Sequence, residues 1–268
     1  MNSIWQTTRF TLLEIFNMRA FQLLVLIALV LLPLAATVFS NLFLLDIGKV
    51  RMDILIAGNR IIASLYILVI AVMLMANDIS KGMIHLFLTP PSSRREYLIG
   101  RFFGLLTGLA IILLAASIGG EAVLGLTFSE KDPIYRHGLE QGDGVLLALF
   151  TFYQHISILA AALFICTWAT SMAEMFVFSS CILMLAWTLP PVLNAMQTTE
   201  VLQRTPEWIA SLLKSTSYFL PNLNGSEIGL ALAHGLPLES VWPHIAEHTG
   251  YALLMLGLAL FSLSRRDL

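Results

Sequence analysis

Apolar residues along this chain fall into runs of helix length, and the polar stretches between them set the order of its elements. Six runs reach the length of about 20 residues that a helix needs to cross a bilayer: Phe21 to Leu42, Ile56 to Ala76, Leu98 to Leu126, Val145 to Thr170, Met175 to Met196 and Thr249 to Ser264. Ahead of them, residues 1–19 carry Ile4, Trp5, Phe10, Leu13 and Phe16 at helical spacing, with Arg9, Glu14 and Arg19 for polarity. That pattern predicts an amphipathic helix lying in the interface, with Trp5 at headgroup depth. Pro33 inside the first run predicts a kink, which a membrane helix tolerates when neighbours resatisfy the freed carbonyl.

The polar interruptions are patterned too. Between the second and third runs, a short amphipathic piece from Ile79 to Leu88 stops at Thr89-Pro90-Pro91, and Ser93 with Glu96 forms a capping-box pattern that starts the next helix. Only Ser171 to Glu174 separate the fourth and fifth runs, a tight turn. Residues 197–248 hold a proline-led amphipathic helix from Pro206 with Trp208, Leu212 and Leu213, and a helix-like piece from Gly225 to His234 that Pro237 ends. These outer helices are interfacial or re-entrant. The expected fold is an all-α polytopic membrane protein, a single transmembrane domain over residues 1–268.

Composition agrees: 57% of residues are hydrophobic and 12% charged, where soluble domains carry about 25% charge. The runs are too long and too uniformly apolar for barrel strands, and the polar connections are too short to bury a core. A net charge of −2 gives no electrostatic footprint for nucleic acid. Cys166 and Cys181 fall inside apolar runs and read as packing residues. The scattered His and Met make no metal-ligand set, and the first run lacks a signal-cleavage pattern.

Six crossings put both termini on one side. Arg9, Arg19, Lys81, Arg94, Arg95, Arg101, Arg265 and Arg266 then share that side and sit at helix ends. The remaining cations, Arg60 among them, count with the opposite and more acidic side. The positive-inside bias therefore assigns the termini to the cytoplasm. Within the apolar runs, Gln154 and His155 stand near mid-bilayer and Glu121 near the outer end of the third run. Ionisable groups there are costly and usually face a bundle interior or a pathway. They are candidates for a substrate or proton pathway, or for hydrogen bonds that fix helix packing.

The chain also carries a pattern running Gly82-Met-Ile-His-Leu-Phe-Leu-Thr-Pro-Pro91, Ser-Ser-Arg-Arg95 and Leu98-Ile-Gly100-Arg101. Further marks are the entry helix ending in Met18-Arg19-Ala20-Phe21, the segment Tyr218-Phe-Leu-Pro-Asn-Leu-Asn224, and the ending Arg265-Arg-Asp267. With its six runs, the chain resembles the type-2 (ABC-2) permease subunits of ATP-binding-cassette transporters over most of its length. Met83 stands where that family usually has threonine, and Asp78 and Lys81 where glutamates are commoner. The resemblance implies a non-catalytic permease subunit in a bacterial inner membrane, paired with a second permease subunit (homo- or heterodimer) and bound to separate ATPase subunits that hold ATP and Mg. It also implies a cytoplasmic coupling helix within residues 78–97, with Asp78, Lys81, Gly82, Pro91, Arg94, Arg95 and Glu96 as its ATPase-coupling residues and Met172 and Glu174 as a second contact. No cofactor is expected in the chain itself, which has no G-x-x-x-x-G-K-[ST] phosphate loop. Export of an amphipathic or lipid-like compound is the expected activity. The alternatives are a mechanotransmitter that passes ATPase motion to an extracytoplasmic accessory protein, and a carrier or scaffold that works without an ATPase.

Overall fold

Each apolar run folds as a helix because a chain in hydrocarbon has to satisfy every backbone N–H and C=O within the segment. The computed structural model describes residues 3–42, 47–80, 93–130, 140–196, 206–217, 220–221, 223 and 242–265. Six of its helices are long and apolar enough to cross a membrane. They are the first span (Arg19–Ser40), second (Ile47–Ile79), third (Arg94–Leu126), fourth (Asp143–Trp168), fifth (Met172–Leu193) and sixth (Trp242–Arg265). The chain is a multi-pass membrane protein, and its described residues include no strand.

The second, third and fourth spans bury more than half of their apolar windows, whereas the fifth and sixth bury less than a quarter. The centre is therefore a three-helix block, with the first span packed on the second and third, the sixth on the fourth, and the fifth lying along the second and fourth. Met175, Ser179, Leu183, Ala186 and Leu189 are the buried positions of the fifth span, one narrow stripe; Phe176, Val177, Met184 and Leu185 face outward.

The entry helix Ser3–Asn17 has two working faces. Trp5, Phe10, Leu13 and Phe16 are exposed, as an interfacial helix requires, while Thr7, Thr8, Thr11 and Ile15 are buried. The buried face fits a notch in the third span made by Gly100, Gly104 and Gly108. Small residues four apart let two helices approach at backbone distance. A Cβ added at Gly100 would stand 2.6 Å from Thr7 Cβ, and one at Gly104 2.5 Å from Thr11 Cβ. Thr8 Oγ1 donates to the Gly100 carbonyl at 3.2 Å, so part of the seam is a side chain bonded to backbone. The helix ends at Met18, whose extended backbone turns the chain into the first span. Phe16 and Phe21 close that corner edge to face at 5.3 Å.

Pro33 produces a π-helical turn over Ile27–Leu31 rather than an open kink. Proline has no N–H and its ring crowds the preceding turn, and one wide turn absorbs both. The widened turn presents Ala28 and Leu29 carbonyls and the Pro33 ring to Gly119 of the third span, where a Cβ would stand 2.5 Å from Pro33 Cγ.

Several helices run further than hydropathy alone indicates. The second begins at Ile47 rather than Ile56 and carries Lys49, Arg51, Asp53, Asn59 and Arg60 in its body. Arg51 is buried because its Nε donates to Ser40 Oγ at the end of the first span, 2.9 Å away. Arg60, counted with the outer cations from sequence, belongs inside this helix. The third span continues as helix to Glu130, and the sixth begins at Trp242 rather than Thr249. The helix expected after Pro206 is present as Glu207–Ser217, with Trp208 and Leu212 exposed. The piece from Gly225 to His234 lies outside the described residues.

Two glycines separate the packing argument from helix propensity. Gly104→Ala is expected to destabilise the chain by about 1–3 kcal/mol through overpacking on Thr11. Gly125→Ala, with open space around its Cβ position, is expected to be neutral or to gain about 0.5–1 kcal/mol. Thermal unfolding of the purified variants in one detergent measures the difference.

Candidate functional site

The polar stretch between the second and third spans is held at its base by a buried group of charges. Asp78 lies in the last turn of the second span, and Tyr97 and Arg101 lie in the first turns of the third. The Arg101 side chain is fully buried. Its Nη2 pairs with Asp78 Oδ2 at 2.6 Å, and its Nη1 donates to Glu14 Oε2 of the entry helix at 2.7 Å. Nη1 also reaches Thr11 Oγ1 at 3.2 Å, and the Tyr97 hydroxyl donates to Asp78 Oδ2. The rings of Phe10 and Tyr97 stand 5.7 and 5.9 Å from the guanidinium carbon. One cation thus ties three segments together.

Charges are tolerated here because each is paired and hydrogen-bonded. Breaking one member of a buried pair typically costs about 3–5 kcal/mol, since it strands the other charge. Asp78 is 1% exposed, so it faces this group and offers no surface to another protein. Lys81, Gly82 and Pro91 lie outside the described residues.

The third span starts on the capping box that the sequence predicts. Ser93 N–H donates to Glu96 Oε2 at 2.9 Å, and Glu96 N–H donates to Ser93 Oγ at 3.2 Å. Arg94 turns to the end of the sixth span and donates to the Leu263 carbonyl at 3.1 Å, satisfying one of the acceptors a helix C-terminus leaves open. Arg95 is exposed. The turn between the fourth and fifth spans has a second capping box: Glu174 Oε2 accepts from the Thr170 and Ser171 N–H groups, and Glu174 N–H donates to Ser171 Oγ. Glu174 is thereby committed to its own helix, and Met172 is exposed beside it.

The residues expected deeper in the bundle are hydrogen-bonded into it. His155 is fully buried, with Nε2 at 3.2 Å from Ser64 Oγ of the second span and Nδ1 at 2.8 Å from the Thr151 carbonyl. Gln154 is buried, and its carbonyl accepts from Ser157, whose hydroxyl also lies 3.1 Å from His248 Nδ1 of the sixth span. These contacts pin the fourth span to the second and the sixth. Glu121 closes the opposite end: its carboxylate accepts the N–H groups of Gly142 and Val145, at 3.3 and 3.2 Å, where the fourth span begins. A negative charge at a helix N-terminus meets the unpaired N–H groups there. Among the described residues no cluster of His, Cys, Asp or Glu has metal-binding geometry.

Sequence reasoning missed Glu14, Thr11 and Tyr97 as partners of Arg101, and Ser64 and His248 as partners of the fourth span. It also missed Asn59 and Arg60, whose Oδ1 and Nη2 are buried without a hydrogen-bond partner among the described residues. A signal for the last pair was available, an adjacent amide and guanidinium inside an apolar run.

Arg101→Leu is expected to lower stability by about 3–5 kcal/mol, because it leaves Asp78 buried without its countercharge. Glu14→Gln should cost less, since that side chain is 32% exposed. Adding Asp78→Asn to Arg101→Leu should recover part of the loss, which a thermal unfolding cycle over the single and double variants reads directly. No protein-family model matches the chain, and a search of curated proteins finds no match.

Proposed function

We propose that this chain is the permease subunit of an ATP-driven transporter, with ATP hydrolysed by separate subunits docked on the face that carries the base of the residue 81–92 stretch. The observation that carries the reading is the Arg101 group. Transmission needs an element with defined mechanical links rather than a loose loop. Asp78 on one side of the stretch and Tyr97 and Arg101 on the other are joined to each other and to Glu14 of the entry helix. A push on residues 81–92 therefore moves the ends of the second and third spans and the entry helix together.

Four further features support the same reading. The Arg94 bond to Leu263 brings the end of the sixth span to the same face, and the turn capped by Glu174 supplies a second rigid corner between spans. Arg95 is exposed beside the stretch and is the described residue best placed to meet an acidic partner surface. The fifth and sixth spans keep broad apolar faces uncovered, which suits a second permease subunit or lipid. The cargo consistent with this architecture is amphipathic or lipid-like, and the proposed location is a bacterial inner membrane with both termini in the cytoplasm.

Co-expression with the ATPase encoded nearest to this chain tests the proposal. Wild-type chain is expected to co-purify with that ATPase in detergent, and Arg95→Glu combined with Lys81→Glu should abolish co-purification while the elution volume of the free chain stays unchanged. Undiminished assembly and ATPase activity in the double variant would refute docking at this stretch.

A further inference from the structure

The guanidinium of Arg60 stands where a membrane protein rarely leaves a cation alone. It lies about 20 Å along the second span from Ile47 at ~1.5 Å per residue, well inside a 33-residue helix that is long and apolar enough to cross a membrane. No carboxylate pairs with it among the described residues, and its Nη2 is buried without a hydrogen-bond partner. Arg51, one helical stretch nearer the outer end, is by contrast bonded to Ser40. Arg60 does not face packed protein on all sides. It lines a cleft of about 170 Å³ together with Ala57, Ile61, Trp187, Pro191 and Leu223.

The composition of that cleft defines what would fill it. Its walls are apolar and aromatic, drawn from the second and fifth spans, and Leu223 of the segment before the sixth span closes one side. Ile61 is 47% exposed and Trp187 37% exposed, so the cleft opens on the outer surface of the bundle. The one charged group in the lining carries the unmet donor. An oxyanion supplies the countercharge and the acceptors that no described residue gives Arg60, because a guanidinium matches carboxylate and phosphate with paired N–H bonds. Apolar walls around a single fixed polar group favour a ligand with an apolar body behind its charged head.

We infer that this cleft binds the phosphate or carboxylate head of an anionic amphiphile, with Arg60 as the headgroup ligand and Trp187 and Ile61 against the chain behind it. As a cargo site it rests on the transport reading above. As a binding site it does not, so the test uses the full chain without an ATPase.

The chain is placed in phosphatidylcholine nanodiscs with Trp187 kept as its sole tryptophan, and brominated dodecyl phosphate is titrated while Trp187 fluorescence is read. Saturable quenching is expected. Arg60→Gln should shift its midpoint upward by about 10- to 100-fold, the range that corresponds to losing a charged hydrogen bond, while Arg60→Lys should stay closer to the parent. Ala57→Phe, which fills the cleft and keeps the charge, should also weaken binding, and guards against a folding defect particular to Arg60→Gln. Competition by phosphatidylglycerol at low mole fraction identifies a resident membrane lipid as the source of the head; competition by single-chain phosphates alone identifies a solute. Coincident titrations for the parent and Arg60→Gln overturn the proposal, as does displacement by inorganic phosphate at the same concentration as by the amphiphile. Binding that survives while ATPase docking fails would leave this site standing and remove only the transport reading.

Discussion

The fold depends on one buried cation of the third span meeting acceptors from two other segments, the second span and the entry helix. Arg101 is wholly enclosed, and its neighbours are the end of the second span, the beginning of the third and the middle of the entry helix. A buried ion pair adds little stability over an apolar replacement but is costly to break. Its value here is specificity: the entry helix has one register in which Glu14 and Thr11 both reach the guanidinium. The glycine notch enforces that register independently, because only the turns carrying Gly100, Gly104 and Gly108 leave room for Thr7, Thr11 and Ile15. Charge and shape thus select the same alignment.

A second set of constraints works deeper in the bundle. The wide turn before Pro33 and the bare backbone at Gly119 fit each other, so a helix defect in one span becomes a contact with another. The Ser64–His155 and Ser157–His248 contacts fix the fourth span against the second and sixth. Apolar side chains give little direction when lipid is as apolar as the bundle interior, so polar contacts and close backbone approach carry the orientation of these helices.

Much of the architecture was legible in the sequence because hydropathy and length report the membrane directly. The six spans follow from that signal, and the capping box at Ser93 and Glu96 follows from spacing alone. What was not legible is which polar residues turn inward. Asp78 and Arg101 look like charges of a solvated connection, and only the tertiary arrangement reveals that they face each other. Hydropathy began the second span at Ile56 because Lys49, Arg51 and Asp53 lower its average, although Ser40 allows Arg51 to be buried and the helix to start earlier. The spacing of Gly100, Gly104 and Gly108 was not singled out from sequence, because its partner, a row of threonines on an amphipathic helix, shows up only as polarity.

The order in which the chain is made gives the Arg101 group a further consequence. Glu14 and Asp78 are synthesised before the arginine that neutralises them. The second span therefore reaches the membrane with a carboxylate near its end and no countercharge. Only when the third span follows does that carboxylate gain its guanidinium and its tyrosine hydroxyl. The second and third spans are thus most cheaply inserted as a pair, and the entry helix takes its final seat after both are in place. Biogenesis of this protein is in that sense a closing step: the residue that arrives last is the one that locks the earlier segments.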